Sequence, residues 1–213
     1  MGIQKWGAFG GFQKKTGPLV GHWLNGQNVI TPLPHPSQEP PTTDQLSQRS
    51  IFSIMIAFFR ILKVIIRTGF TVHKQKESPW SAALGYNLKN SVAGVAPNFT
   101  IDYAKVLFSK GDLSNPINFG VAATVSGELT YTWDAFVNPE SGDPTDQATF
   151  VVYCALLDAF VTVAAAADRS ELTYELSLPT PFSGETVQCW ACFTSVDKKR
   201  ASDTVYLGSI VVT

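Results

Sequence analysis

The 213-residue chain has little charge, few cysteines and few histidines. Charged residues make up 15% of the chain, whereas ordinary soluble domains contain roughly 25%. The net charge of −1 excludes a generally basic nucleic-acid-binding protein, and three cysteines exclude a disulfide framework. Hydrophobic residues make up 45%, so a disordered chain is excluded as well. A surface with so little charge is expected to be covered in part by a partner.

Motifs for catalysis and phosphate binding are also missing. The sequence contains no Gly-x-Ser-x-Gly nucleophile elbow and no phosphate-binding loop. Cys189 and Cys192 form a Cys-x-x-Cys pair in a predicted strand, where residues three apart point to opposite faces and neither bridge nor chelate. His22, His35 and His73 lie in no metal-ligand spacing. We therefore expect buried structural thiols, and no catalytic residue, metal or cofactor.

The charge is divided between the two halves of the chain. Residues 1–94 contain ten basic and three acidic residues, a net charge of +7. Residues 95–213 contain six basic and fourteen acidic residues, a net charge of −8. Opposed charges favour head-to-tail contacts between copies, and a head-to-tail contact that does not close produces a filament. The alternative is two solvated domains with an accidental charge bias.

Residues 1–42 form a glycine- and aromatic-rich arm that ends in a proline-rich linker. Asn25-Gly26 separates two apolar runs, which predicts a β-hairpin. An isolated hairpin is marginally stable in water, so the apolar side chains of the arm need a partner. Lysines among aromatics are also typical of a single-strand nucleic-acid groove. We favour contacts with other copies because the chain itself supplies an acidic surface. The predicted interface residues of the arm are Trp6, Phe9, Phe12, Lys14, Lys15 and Trp23.

Residues 43–97 are predicted to form a helical segment with two helices. The first begins at the start of this segment and ends before Gly69, and the second begins at Pro79 and ends at Gly94 or Pro97. Apolar residues cover almost the whole circumference of the first helix, while its charged residues argue against a membrane span. Because a chain of this size can hardly surround such a helix, we expect neighbouring copies to bury it. The predicted interface residues on this helix are Ile51, Phe52, Met55, Phe58, Phe59, Leu62 and Ile66.

Residues 98–213 show a hydrophobic period of two, which predicts an all-β immunoglobulin-like sandwich. The fold class is therefore α+β, with a β-hairpin arm and a two-helix segment before the sandwich. If the sandwich is a binding or adhesion module for a glycan or a protein, its loop at 138–146 is expected to contact the ligand. The predicted strands are Ile101–Ser109, Asn118–Thr124, Glu128–Trp133, Thr149–Leu156, Phe160–Ala166, Leu172–Leu178, Thr186–Thr194 and Thr204–Val212.

Two resemblances to known families support this architecture. GELTYTWDAF, TFVVYCAL and ELTYELSLPTPFSGETVQCW, within residues 100–213, resemble a fibronectin type III or related immunoglobulin-like domain. The order GAFGGFQKKTGPLVGHWLNGQNVI, TTDQLSQRSIFSIMIAFFRILKVII, ALGYNLKNSVAG, NFTIDYAKVLFSKGDL and YLGSIVV resembles a domain-of-unknown-function family abundant in Bacteroidota genomes. The opening segment also resembles small phage-type structural proteins, with Lys15-Thr16-Gly17 and Gln45–Arg49 as the matching residues. These resemblances imply assembly and supply no catalytic residues.

Together these features predict a non-enzymatic structural protein that self-assembles into a filament, a tube or a phage-like particle. Its predicted partners are copies of itself, with nucleic acid as the less favoured partner and no small-molecule substrate. A binding or adhesion module is the alternative function. The N-terminus lacks a signal-peptide pattern, so we expect assembly in the cytoplasm or release as an extracellular particle or filament.

Overall fold

The computed structural model divides into two compact units, Met1–Thr43 and Asp44–Thr213. The predicted helical segment and the predicted sandwich therefore lie in the same unit. The structure describes the backbone of residues 3–4 and all atoms of residues 10–24, 26–35, 39–73, 77–134 and 142–213.

The first unit contains a four-stranded antiparallel sheet. Its strands are β1 (Ile3–Gln4), β2 (Phe12–Thr16), β3 (Leu19–Leu24) and β4 (Gln27–Pro32), paired in that order. Strands β3 and β4 confirm the predicted hairpin, with Leu24 paired to Gln27 across the turn. Gly26 in this turn has φ +80°, which glycine adopts at little steric cost. The sequence patterns did not predict β1 and β2.

The second unit begins with three helices, α1 (Thr43–Ile61), α2 (Lys63–Gly69) and α3 (Pro79–Asn90). The predicted first helix is interrupted at Leu62, whose N–H donates to the Phe59 carbonyl at 2.9 Å and tightens the turn. Helix α3 begins as predicted, because the Ser78 hydroxyl accepts a hydrogen bond from the Ser81 N–H at 3.1 Å and caps it.

Helix α3 ends earlier than predicted, at Asn90. The next residue, Ser91, is buried, and its hydroxyl donates to the Lys105 carbonyl at 2.7 Å. Its own carbonyl accepts from the Asp102 N–H at 2.9 Å. These bonds to a distant segment replace the next helical turn. The chain continues into a small hairpin of β5 (Val92–Val95) and β6 (Asn98–Ile101).

The predicted strand Ile101–Ser109 is wrong. The chain forms a single 3₁₀ turn at Tyr103–Lys105 and then runs without regular structure. Its backbone donors bind side chains instead of a neighbouring strand: the N–H groups of Phe108 and Ser109 donate to the Thr204 hydroxyl at 3.1 and 2.8 Å. The alternating apolar pattern of this segment thus produces buried side chains without strand pairing.

The remaining strands confirm the predicted sandwich. They are β7 (Gly120–Val125), β8 (Glu128–Thr132), β9 (Gln147–Cys154), β10 (Ala159–Asp168), β11 (Thr173–Ser177), β12 (Thr186–Thr194) and β13 (Val205–Val211). One sheet has the order β11-β8-β7 and the other β10-β9-β12-β13, and the paired strands are antiparallel. Side chains from both sheets form one buried core, which includes Tyr131, Trp133, Phe150 and Phe193.

The helices cover the outer face of the four-stranded sandwich sheet, β10-β9-β12-β13. Val151, Tyr153, Trp190 and Cys192 point away from the inner core and join a second buried cluster with the side chains of α1, α2 and α3. Strands β9 and β12 are therefore buried on both faces. The second unit consequently has three layers, with the helices outside and the two sheets behind them.

Candidate assembly surfaces

Five predicted interface residues on α1 and its continuation are buried within their own chain. The Phe58 ring shows why, because it packs against Tyr153, Phe160 and Trp190 of the sheet with centroid distances of 5.1, 5.0 and 6.3 Å. A single chain therefore buries this side of the helices, which corrects the expectation that neighbouring copies are needed for it. The buried residues are Met55, Phe58, Phe59, Leu62 and Ile66, none more than 7% exposed.

The opposite side of α1 and α2 is open to solvent. Of the two remaining predicted residues, Ile51 is partly buried and Phe52 is 47% exposed. Ile61 and Val64 follow with exposed fractions of 52% and 75%. Phe52 and Ile61 are nine residues apart on α1, so they flank its buried stripe on opposite sides. Only this side of the predicted helix interface is available to a partner.

A groove of about 570 Å³ lies between this open side and the start of α3. Arg60, Lys63 and Arg67 line it, and all three are exposed. Among the described residues, no acidic side chain lines the groove or forms an ion pair with these cations. We call it the cationic groove, and it is lined by Ile56, Arg60, Lys63, Arg67, Ser78, Pro79 and Trp80.

Spacing in the sequence is the signal that could have found this groove. Lys63 and Arg67 are four residues apart on α2, so their charges are neighbours. Like charges at this spacing destabilise a helix by roughly 0.2–0.5 kcal/mol per pair. Sequence reasoning considered these residues only as interruptions of an apolar run and missed the groove.

The predicted residues of the arm lie on its surface where the structure describes them. Trp23 is 46% exposed, Lys14 and Lys15 are exposed, and Phe12 is partly buried. The other two predicted residues, Trp6 and Phe9, lie outside the described part of the chain.

One face of the arm sheet is largely apolar. Residues opposite each other in antiparallel strands share a face, and Gly21 lies opposite Ile30. The Phe12 side chain and carbonyl cover Gly21 so closely that any Cβ there would collide with them. Residues two apart on a strand share a face as well, so Leu19 and Trp23 lie beside Gly21. The apolar side chains of this face are Phe12, Leu19, Trp23 and Ile30, and we call them the apolar arm face. The polar residues Lys14, Thr16 and Asn28 lie among them, opposite Gly21, Leu19 and Trp23.

The arm sheet has no hydrophobic core in its described part. Among residues 10–24, 26–35 and 39–42, only Gly21 is buried, and it has no side chain. Leu19, Trp23 and Ile30 remain 40%, 46% and 49% exposed. Leu19 and Ile30 were missed as interface residues, although the alternation of the hairpin strands places them on the face of Trp23. A sheet this small normally needs a packed face for stability.

Two loops meet at one end of the sandwich. The Trp133 N–H donates to the Leu172 carbonyl at 3.0 Å, and the Arg169 N–H donates to the Asp146 carbonyl at 2.7 Å. The Arg169 side chain is buried, lies 3.4 Å from the Asp146 carboxylate and stacks on the Phe193 ring at 4.5 Å. This end of the sandwich is therefore held together by a buried ion pair.

The same end carries the exposed acids of these loops. Hydrogen bonds from the Thr145 hydroxyl and N–H, at 2.6 and 2.9 Å, lower the pKa of Asp143 and keep it ionised. The predicted ligand-binding loop at 138–146 belongs here, but its residues 138–141 lie outside the described part of the chain. We call this surface the acidic end, and it consists of Asp134, Asp143, Asp168 and Glu171.

The three cysteines are free, buried thiols, as predicted. Cys189 belongs to the core between the sheets and Cys192 to the core under the helices, which confirms that they point to opposite faces. Burial raises the pKa of Cys189 to about 11 and that of Cys192 to about 12. Because the thiolate is the reactive form, these neutral thiols are structural.

Metal ligands and membrane spans were also sought in the described residues. No cluster of three or more His, Cys, Asp and Glu side chains there is arranged to hold a metal ion. None of the described helices has the length and apolar character that crossing a membrane requires.

A family model described as a family of unknown function, DUF6266, matches residues 11–208. The chain belongs to the DUF6266 family. The match runs from the arm through the helices to the last strand of the sandwich, so this DUF6266 member has both units within the matched residues. The predicted membership in a family of unknown function is confirmed. No curated protein matches the chain.

Solved structures similar to this DUF6266 protein are fibronectin type III domains. The fn3 domain of the human collagen alpha-1(XX) chain is 14% identical, covers 47% of this chain and 86% of its own, and has a TM-score of 0.36. The fn3 domain of human contactin 1 is 15% identical, with coverages of 57% and 93% and a TM-score of 0.32. The FN1–FN3 domains of chicken CNTN1 are 10% identical, with coverages of 49% and 33% and a TM-score of 0.33. Three antiparallel strands facing four confirm the predicted immunoglobulin-like sandwich.

Proposed function

We propose that this protein is a non-enzymatic structural protein that self-assembles into a filament, a tube or a phage-like particle. The single observation behind this proposal is the arm sheet, which has apolar side chains on one face and no buried side chain in its described part. A small sheet with an exposed apolar face and no buried side chain among its described residues is not expected to be stable in water, so we infer that a second surface covers the apolar arm face.

The free energy gained by burying the apolar arm face is consistent with repeated contacts between copies. Fully burying a Leu, Ile or comparable side chain contributes about 1.5–3 kcal/mol. Leu19, Trp23 and Ile30 are each close to half exposed, so covering them adds about half of that per side chain. One arm thus makes a modest contact, and an ordered polymer multiplies it because each copy donates one arm and receives another.

The positive charge of the arm supports the proposal that another copy covers the apolar arm face. Lys14 and Lys15 are exposed beside the apolar arm face, and residues 95–213 carry a net charge of −8. Opposite charges steer the arm of one copy toward the sandwich of another. The resemblance of the opening segment to Bacteroidota family members and to phage-type structural proteins also favours an assembly.

The test compares an arm variant with a matched surface variant. Leu19→Ser combined with Ile30→Thr removes apolar area from the arm face and leaves the second unit unchanged. Leu156→Ser is the control, because Leu156 is 75% exposed in the turn between β9 and β10. Light scattering after size exclusion measures the mass of full-length protein, and negative-stain electron microscopy shows the assembled form.

We expect wild-type protein and the Leu156→Ser control to form large ordered assemblies and the arm variant to form none or far fewer. Wild-type protein that stays a dispersed monomer of 23.1 kDa at high concentration contradicts the proposed function. Equal assembly by the arm variant would contradict the role of the arm.

A further inference from the structure

We propose that the cationic groove of one copy binds the acidic end of the next copy, so that the chain polymerises head to tail. This inference rests on the proposed function and adds a second contact between copies, separate from the contact that the arm makes. Both surfaces lie in the second unit, Asp44–Thr213.

The groove fits a partner that is acidic and also carries apolar atoms. Arg60, Lys63 and Arg67 place three positive charges along one side of the two helices, and the Trp80 and Ile56 side chains line the same groove. Because like charges on adjacent turns repel, the isolated chain keeps this arrangement at some cost to helix stability. Carboxylates from a partner would remove that repulsion.

The chain carries the matching surface itself. Asp134, Asp143 and Glu171 are exposed and Asp168 is partly exposed at the acidic end. Arg169, the basic residue within these two loops, is buried beside Asp146. The loop after β12 lies at the same end and adds the cations Lys198, Lys199 and Arg200, of which Lys199 lies 3.4 Å from Asp197 and Arg200 lies 3.0 Å from Asp112. Acidic side chains still outnumber basic ones at this end. The arm is a poorer occupant of the groove, because its described lysines carry the same sign as the groove.

The Arg60 end of the groove is far from the acidic end of the same copy. Strand β9 runs from Gln147, paired with Asp168 at the acidic end, to Tyr153, paired with Phe160 at the other end. Six residues of strand span about 20 Å. Phe58 packs on Tyr153 and Phe160, and Arg60 borders the same surface. The Arg60 end of the groove thus lies on the order of two Debye lengths from the acidic end, where charges are strongly screened.

A contact between two different surfaces can repeat from each copy to the next. Each bound copy still presents a free groove at one end and a free acidic end at the other. Such heterologous contacts form a ring if the rotation closes and a filament if it does not. The proposed polymer therefore grows along the direction that joins the groove of one copy to the acidic end of the next.

The test is a charge swap in the full-length protein. The groove variant carries Arg60→Glu and Lys63→Glu, and the acidic-end variant carries Asp134→Lys and Glu171→Lys. Lys89→Glu is the control, because Lys89 is exposed on α3 outside the groove. Circular dichroism and thermal unfolding check that each variant is folded, and sedimentation velocity measures association at low and high salt.

We expect each double variant alone to associate at least tenfold more weakly than wild type, with the control unchanged. We expect the two double variants mixed together to form pairs, because the unaltered groove of the acidic-end variant binds the unaltered acidic end of the groove variant. We also expect wild-type association to weaken as salt rises, since exposed charges are screened beyond about 8–10 Å.

The outcomes separate this inference from the proposed function. If wild-type protein associates and the groove variant associates equally well, the groove contact is wrong while assembly through the arm stands. If the groove variant loses binding to a single-stranded oligonucleotide and the acidic-end variant assembles normally, nucleic acid occupies the groove and the inference is overturned. If wild-type protein does not associate at all, the proposed function fails as well.

Discussion

Replacing Phe58 by alanine tests whether the helices are buried by their own chain. Phe58 is 6% exposed and lies within 6.3 Å of five aromatic rings, measured between centroids. Truncating a buried phenylalanine costs about 3–5 kcal/mol, and aromatic pairs add about 0.5–1.5 kcal/mol each beyond area. We therefore expect Phe58→Ala to lower the free energy of unfolding of the second unit by about 4–5 kcal/mol.

The assay is thermal unfolding followed by tryptophan fluorescence at low and high protein concentration. For a domain of this size, 1 kcal/mol shifts Tm by about 2–4 °C, so the variant should melt roughly 8–20 °C below wild type. Because Phe58 contacts Tyr153, Phe160 and Trp190 of the same chain, the loss should be the same at both concentrations. Stability gained from subunit contacts would instead depend on concentration.

Phe52→Ala is the matched control on the same helix. Phe52 is 47% exposed, so its truncation should lower the free energy of unfolding by less than about 1.5 kcal/mol. Equal effects of the two substitutions, or a loss for Phe58→Ala that disappears at low concentration, would refute the reasoning that one chain buries this side of α1.

Three further predictions concern buried polar groups of the sandwich. Cys154, Cys189 and Cys192 should react with a thiol reagent only after unfolding, and rapid labelling of native protein would contradict their burial. Since burial raises the pKa of Cys189 to about 11 and that of Cys192 to about 12, the unfolded chain loses these protons first, and the free energy of unfolding should fall as pH rises from 9 toward 11. Asp146→Asn should cost about 3–5 kcal/mol, because it removes the carboxylate charge 3.4 Å from the buried Arg169 guanidinium. A loss below 1 kcal/mol, measured by urea unfolding, would show that the pair contributes little.

The sequence was sufficient to predict elements that short-range patterns specify. Alternating apolar residues between turn residues predicted the seven strands of the sandwich, because one face of each strand packs in the core between the sheets. Strands β9 and β12 are buried on the other face as well. Asn25-Gly26 predicted the hairpin of the arm, and Ser78 before Pro79 marked the start of α3. The segment 101–109 shows the limit of such patterns, since Thr204, about a hundred residues away, decides where its backbone donors bind.

By itself, the sequence determined that a helix apolar on nearly all sides follows a glycine- and aromatic-rich arm and precedes a sandwich. Only the tertiary structure decided which side of that helix is buried. The outer face of β9 and β12 carries Val151, Tyr153, Trp190 and Cys192, which lie roughly 90 to 150 residues from α1 and create an aromatic surface that fits Phe58. Because one side of the helices packs on this surface, the cations of the other side remain in the open groove with Trp80. The residues that bury the first side come from distant parts of the chain, so the sequence of the helix does not show which side is buried.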